Sequence, residues 1–186
     1  MDTIILASGS PRRRELLEQA GIPFEVIVSN AEEVITKTDP GEIVEELSFC
    51  KAQAVAQQYT DRLVLGADTV VVLDGQILGK PKDTEDARRI LNSLQGREHQ
   101  VYTGVTLIFG DRVHSFYEKT DVFIYPMTEQ EIEAYIQSGD CMDKAGAYGI
   151  QSQFAIHIQG IKGDYYNVVG LPIGRLWQEL KEFRIV

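Results

Sequence analysis

An aspartate stands in the middle of an otherwise apolar run, RLVLGADTVVVL at residues 62–73. The run predicts a strand, and Asp74-Gly75 directly after it predicts a hairpin returning through QILGK. Around this hairpin the chain alternates. TIILA (3–7) and FEVIVS (24–29) read as strands, separated by a helix that Ser10 caps, Pro11 opens and Gly21 stops. Asp39-Pro40-Gly41-Glu42 opens a second helix, running to about Tyr59, and Asp83 or Thr84 caps a third that ends near Gly96. Two long strands, about 98–109 and 112–125, turn at Gly110-Asp111. Thr128-x-x-Glu131 then caps a helix stopping at Gly139, and a Gly-rich loop, 139–152, leads to short strands and a last helix after Pro172. Strands alternating with helices, followed by adjacent hairpins, indicate an α/β fold built on a mixed sheet. With no repeat, low-complexity tract or linker, residues 1–186 read as a single domain, any two lobes sharing one continuous chain.

The acidic residues outnumber the basic ones, 28 to 18, for a net charge of −10. That balance argues against a duplex nucleic-acid binder, which needs a broad cationic face, but a few local cations suffice for a small phosphorylated ligand. Cys50 and Cys141 lie far apart without metal-type spacing and read as reduced thiols. There is no basic leader followed by an apolar stretch and no membrane-length apolar run, so a cytoplasmic protein without membrane partners is expected.

Four features point to chemistry. Arg12, Arg13 and Arg14 crowd the first turn of the first helix, where the helix dipole is already positive. Behind a strand and the small-residue turn Ala7-Ser8-Gly9-Ser10, they form an anion site once a polyphosphate is present; otherwise they are a solvated basic turn relieved by Glu15 and Glu18. Asp68 is costly in an apolar strand unless paired, hydrogen-bonded or metal-bound, and Gly66 lets another group come close to the backbone there. It is either a structural carboxylate at a strand end or a reacting one. Lys80 ties to it by hairpin register: a three-residue loop with Gly75 at the bulge sets Lys80 opposite Asp68, whereas a two-residue loop sets it opposite Thr69. Only the first puts both on one face, and that is the expectation. Lys51 falls on the apolar stripe of the second helix, where snorkelling to the surface is the simpler account. Glu32 and Glu33 gain interest only from this company. An anion cradle with Asp, Glu and two Lys at element ends is what metal-assisted phosphoryl chemistry requires. His99, His114 and His157 form no ligand pattern, and in DKAGAYGIQ (143–151) Lys144, Tyr148 and Gln151 are either ligand contacts or turn chemistry.

The segments ILASGSPRR (5–13), EE (32–33), KAQAVA (51–56), GADTVVVLDGQILGKP (66–81), HQVYTG (99–104), DKAGAYGIQ (143–151) and GDYYNVVGLP (163–172) together resemble the Maf family of nucleoside triphosphate pyrophosphatases. The resemblance spans nearly the whole chain. It implies a mixed-sheet α/β fold with two lobes flanking a cleft, similar to the inosine triphosphate pyrophosphatases, and cleavage of a nucleoside triphosphate to the monophosphate plus pyrophosphate with Mg²⁺ or Mn²⁺. It gives Asp68 the role of proton acceptor, implicates Glu33, Lys51 and Lys80 in catalysis, and assigns Arg12, Thr69 and Gln151 to substrate choice. SPRR, ADT and YGIQ match the branch that prefers dTTP and UTP, with modified pyrimidine nucleotides as further candidates. Ser152 and Cys141 depart from the glycine and proline usual in the family. The mechanism expected has Ser8, Arg12 and Arg13 holding the triphosphate, Glu33 and Asp68 holding the metal, and Lys51 and Lys80 stabilising charge at phosphorus. The resemblance leaves room for a homodimer, and for a nucleotide-binding regulator of cell division in which the same cradle binds without turnover.

Overall fold

The computed structural model describes residues 2–183. Seven strands form one sheet: β1 (Ile4–Leu6), β2 (Phe24–Val26), β3 (Val64–Leu73), β4 (Gln76–Leu78), β5 (Glu98–Phe109), β6 (Arg112–Ile124) and β7 (Ile158–Lys162). Their order is β2-β1-β3-β5-β6-β7, with β4 pairing β3. β1 runs parallel to β2 and β3, while β3–β4 and β6–β7 are antiparallel, so the sheet is mixed as expected. Six α-helices accompany it: α1 (Pro11–Gln19), α2 (Pro40–Ala56), α3 (Thr84–Leu94), α4 (Glu129–Gln137), α5 (Tyr165–Val169) and α6 (Ile173–Glu182). No helix among the described residues is long and apolar enough to cross a membrane.

The caps follow from local chemistry. Asp39 accepts from the amides of Gly41 and Glu42, Asp83 from that of Asp86, and Thr128 and Glu131 form a reciprocal capping box. Ser10 departs from its expected part. It occupies the N-cap of α1, but its side chain makes no capping bond, and its own amide donates instead to the Ser8 hydroxyl.

The β3–β4 turn also departs from expectation. Asp74 (φ 51°) and Gly75 (φ 76°) are both left-handed and Leu73 pairs with Gln76, which is the two-residue turn. Asp74 tolerates that conformation, and its carboxylate takes two hydrogen bonds from Arg97, at 2.9 and 2.8 Å. The three-residue form that would set Asp68 opposite Lys80 is not adopted, so register gives no ground for their partnership.

The chain divides into two compact units. The first comprises the chain through Thr69, Thr103–Glu118 and the segment from Tyr166; the second comprises Val70–Tyr102 and Lys119–Tyr165. In the first, Ile5, Ala7, Ala52, Val55, Ala56, Val64 and Ile108 form a core cluster. Helix α2 lies very close to the sheet there. A Cβ on Gly66 would stand 2.3 Å from the Ser48 carbonyl oxygen, and one on Gly104 would stand 2.2 Å from that of Val44. In the second unit α3 buries Ala87, Ile90, Leu91 and Leu94, the i, i+3, i+4, i+7 stripe of an amphipathic helix. Nearby, Tyr135 and Tyr148 pack on Phe154 at ring-centroid distances of 4.9 and 4.7 Å.

Replacing Gly66 by Ala should therefore destabilise the protein by at least the ~1–3 kcal/mol of overpacking, because the obstacle is backbone and cannot rotate aside. Gly79→Ala, where a Cβ meets nothing within 4 Å and no positive φ is required, is the control. Equal melting temperatures for the two variants would contradict the close packing of α2.

His99 supplies a second test. Its ring is fully buried, 2.7 Å from the Tyr148 hydroxyl, and burial holds its pKa down from 6.5 to about 4. The unfolded chain therefore binds the extra proton first. The neutral ring's contribution is complete above pH 6.5 and is lost as pH falls toward 4, at most on the order of 3 kcal/mol. Thermal melts from pH 7.5 to 4.5 should show a shallower decline for His99→Gln than for the native chain, and parallel declines would refute the assignment.

Candidate active site

The first unit gathers its polar side chains at the carboxyl end of β1, the start of α1 and the middle of β3. Gly66 lets α2 press on β3, which brings Lys51 of α2 to Asp68, two residues further along the strand. The Lys51 ammonium donates to Asp68 Oδ1 in a short contact and lies 2.8 Å from Glu33 Oε1. Lys51 and Asp68 side chains are only 19% and 14% exposed, whereas Glu33 is 59% exposed. Lys51 is thus not a snorkelling lysine. It is the cation that joins the two carboxylates, and so answers the cost of Asp68 in an apolar strand.

Arg13 is handled in the opposite way. It is buried, and its guanidinium donates through Nε to the Gly170 carbonyl (2.9 Å), through Nη1 to the Ser8 hydroxyl (3.0 Å) and through Nη2 to the Thr69 hydroxyl (3.1 Å). All three partners are neutral. Burial lowers its pKa, while the field of Asp68 raises it, Arg12 lowers it and Glu33 raises it. Arginine remains protonated under such a shift, so a fixed positive charge is held in place by oxygen dipoles, beside the first turn of α1. Burying a cation without a bonded carboxylate is unfavourable for the fold alone and favourable once an anion binds.

Arg12 is half-buried in the same helical turn, and Thr69 and Ser8 enter through the Arg13 bonds. The structure brings together Ser8, Arg13 and Thr69 on one side, and Glu33, Lys51 and Asp68 on the other, with Asp68 and Thr69 adjacent in β3. Lys80 and Gln151 belong to the second unit, where both are exposed. Lys80 follows β4, and Gln151 lies in a loop tied down on either side: Gly149 N–H donates to the Tyr135 hydroxyl at 3.2 Å, and the Ser152 hydroxyl donates to the Gly149 carbonyl at 2.8 Å. Ser152, the departure noted in the sequence, is therefore one of the loop's internal ties. Lys144 is clamped between Asp140 and Asp143, at 2.9 and 2.8 Å. Among the described residues no three His, Cys, Asp or Glu side chains group as a metal site. Sequence reasoning missed Thr103, whose hydroxyl lies 2.9 Å from that of Thr69, and Gly170, whose carbonyl takes the Arg13 bond. Neither has a local pattern of its own; the signal available was that both fall inside segments that carry the family resemblance, HQVYTG (99–104) and GDYYNVVGLP (163–172).

Residues 3–183 match the family described as Maf-like protein. The chain belongs to this family. Over its full length it is 56% identical to a protein of Agathobacter rectalis named dTTP/UTP pyrophosphatase, covering 99% of that protein. It is 54% identical to a Bacillus anthracis protein of the same name, again over 100% of this chain and 97% of that one. Among solved structures, the Ham1 protein of Staphylococcus aureus shares the fold with a TM-score of 0.50 at 19% identity, covering 66% of this chain and 72% of that one.

If the Arg13 charge awaits an anion, inorganic pyrophosphate should raise the melting temperature of this Maf protein, by the equivalent of ~2.7 kcal/mol at a hundredfold excess over its Kd. Arg13→Gln, which keeps hydrogen-bonding capacity but no charge, should abolish the rise. An undiminished rise in that variant would place the anion elsewhere.

Proposed function

We propose that this chain is a nucleoside triphosphate pyrophosphatase that hydrolyses dTTP and UTP to the monophosphate and pyrophosphate, and that residues 1–186 act as one Maf-like domain. The observation that carries the reading is the contrast within the first unit: a buried guanidinium bonded, among the described residues, to neutral oxygens, beside a carboxylate held by an ammonium. The first is built for phosphate oxygens, the second for moving a proton. The relatives named dTTP/UTP pyrophosphatase supply the substrate class.

In the mechanism, Arg13 and Arg12 hold the phosphates with the Ser8 turn and the α1 amides. Water attacks phosphorus, the bridging P–O bond between the α- and β-phosphates breaks, and Asp68 accepts the water proton. Lys51, bonded to Asp68, keeps that carboxylate oriented and supplies positive charge where the phosphoryl oxygens gain negative charge. Lys80 and Gln151 enter on the family resemblance, as a charge-stabilising ammonium and a residue of substrate choice. Asp68 and Glu33 would hold Mg²⁺ or Mn²⁺. Both already reach one cation, the Lys51 ammonium, and two carboxylates completed by phosphate oxygens and water are an ordinary shell for such an ion. Bound there, the metal would neutralise phosphate charge.

Pyrophosphate and monophosphate should appear in equal amounts from dTTP and UTP in the presence of Mg²⁺ or Mn²⁺. Asp68→Asn, nearly isosteric, should keep nucleotide binding while losing turnover by ~10²–10⁴-fold. Turnover within a few-fold of the native chain would remove Asp68 from the reaction. Tight binding by the native chain without pyrophosphate release would favour the binding regulator instead.

A further inference from the structure

Behind Thr69 lies a row of hydroxyls whose hydrogen-bond direction is fixed at both ends. Arg13 Nη2 donates to Thr69 Oγ1 at 3.1 Å, Thr69 Oγ1 lies 2.9 Å from Thr103 Oγ1, and Thr103 Oγ1 donates to the Asn167 carbonyl at 2.8 Å. A guanidinium can only donate, a carbonyl can only accept, and each hydroxyl has one proton and two lone pairs. The single proton of Thr103 is directed to Asn167, so Thr103 can only accept from Thr69. The single proton of Thr69 is therefore directed to Thr103. One lone pair of Thr69 takes the Arg13 bond and one is left. Thr103 is completely buried and Thr69 half-buried, so Thr69 is the member of the row that can meet a ligand. What it offers is an acceptor and nothing else.

We propose that Thr103 is the positioning residue that makes Thr69 an acceptor-only contact for the pyrimidine base, selecting the N3–H of thymine and uracil over the unprotonated N3 of cytosine. This rests on the reading of Thr69 as a residue of substrate choice in dTTP and UTP hydrolysis. The chemistry is a match of polarity. An imide N3–H donates to the free lone pair of Thr69, whereas cytosine N3 would set lone pair against lone pair and lose its hydrogen bond in a water-poor place. A site built to bond one polar group rejects the analogue that lacks it, because its own polar atom is left unpaired. Shape plays no part, since cytosine and uracil differ little in outline. The selection depends on Thr103 keeping the Thr69 proton turned away.

The test is Thr103→Val, which keeps the β-branched shape in β5 and removes the acceptor. Thr69 is then free to rotate and donate, and the UTP-to-CTP ratio of kcat/KM should fall on the order of tenfold, with CTP gaining relative to UTP. Thr103→Ser should restore the ratio. A structural role alone would lower UTP and CTP together, so an unchanged ratio in a folded Thr103→Val protein overturns the proposal. If that variant fails to fold, the native chain decides with 4-thio-UTP, which keeps the N3–H and changes only the atom on C4, where cytosine differs as well. It should be hydrolysed within a few-fold of UTP, and rejection on the order of the tenfold expected for CTP would place the selection at C4 and overturn the proposal. Absence of pyrophosphate release from UTP itself would instead bring down the underlying reading of the function, and this one with it.

Discussion

The approach of helix α2 to the sheet is the constraint on which the candidate site depends. At Gly66 and Gly104 a side chain of any size would strike the α2 backbone, so two strands give up their Cβ atoms to let one helix come close. The gain is positional. Lys51 reaches Asp68 and Glu33 at once because its helix lies that near, and the buried hydroxyls of Ser48 and Thr106, 2.8 Å apart, are paired across the same contact. Moving α2 outward by the width of a methyl group would leave Asp68 as an unpaired carboxylate in an apolar strand, which is the costliest state available to it.

Two cations of this unit show how charge is divided between fold and ligand. Lys51 has its counter-ions in place, and the pair is closed electrostatically before any substrate arrives. Arg13 is fixed just as firmly, but by a carbonyl and two hydroxyls that orient it without cancelling its charge. A flexible lysine is suited to the first duty and a planar guanidinium to the second, since its fork can satisfy three acceptors while keeping its geometry. Thr69 belongs to both arrangements, as neighbour of Asp68 in β3 and as acceptor for Arg13.

Much of this was legible in the sequence, where the signal was local. The Asp39 and Asp83 caps and the Thr128–Glu131 box were read from side chains that act within four residues of themselves. The strand–turn–helix at Ser8–Arg13 and the mixed sheet followed from the same kind of pattern. Errors arose where two local solutions compete or where a distant partner decides. Asp74-Gly75 is compatible with both turn lengths, and the two left-handed residues of the shorter one prevailed. Lys51 read locally as a snorkelling lysine, and only the family resemblance drew it into the site, because nothing near it in sequence showed that Asp68, 17 residues on, would stand beneath it. Arg12 and Arg13 are indistinguishable as letters. What separates them is Gly170, contributed by a segment 157 residues away.

The central claim is that Lys51 and Asp68 work as one device, set by the packing of α2 on β3. A double-mutant cycle on dTTP turnover, using Lys51→Met, Asp68→Asn and the double variant, measures this directly. Residues acting as a unit lose activity together, so the double variant should fall little below the worse single one. Losses in kcat/KM that multiply would mean the two side chains act independently, and would contradict the account.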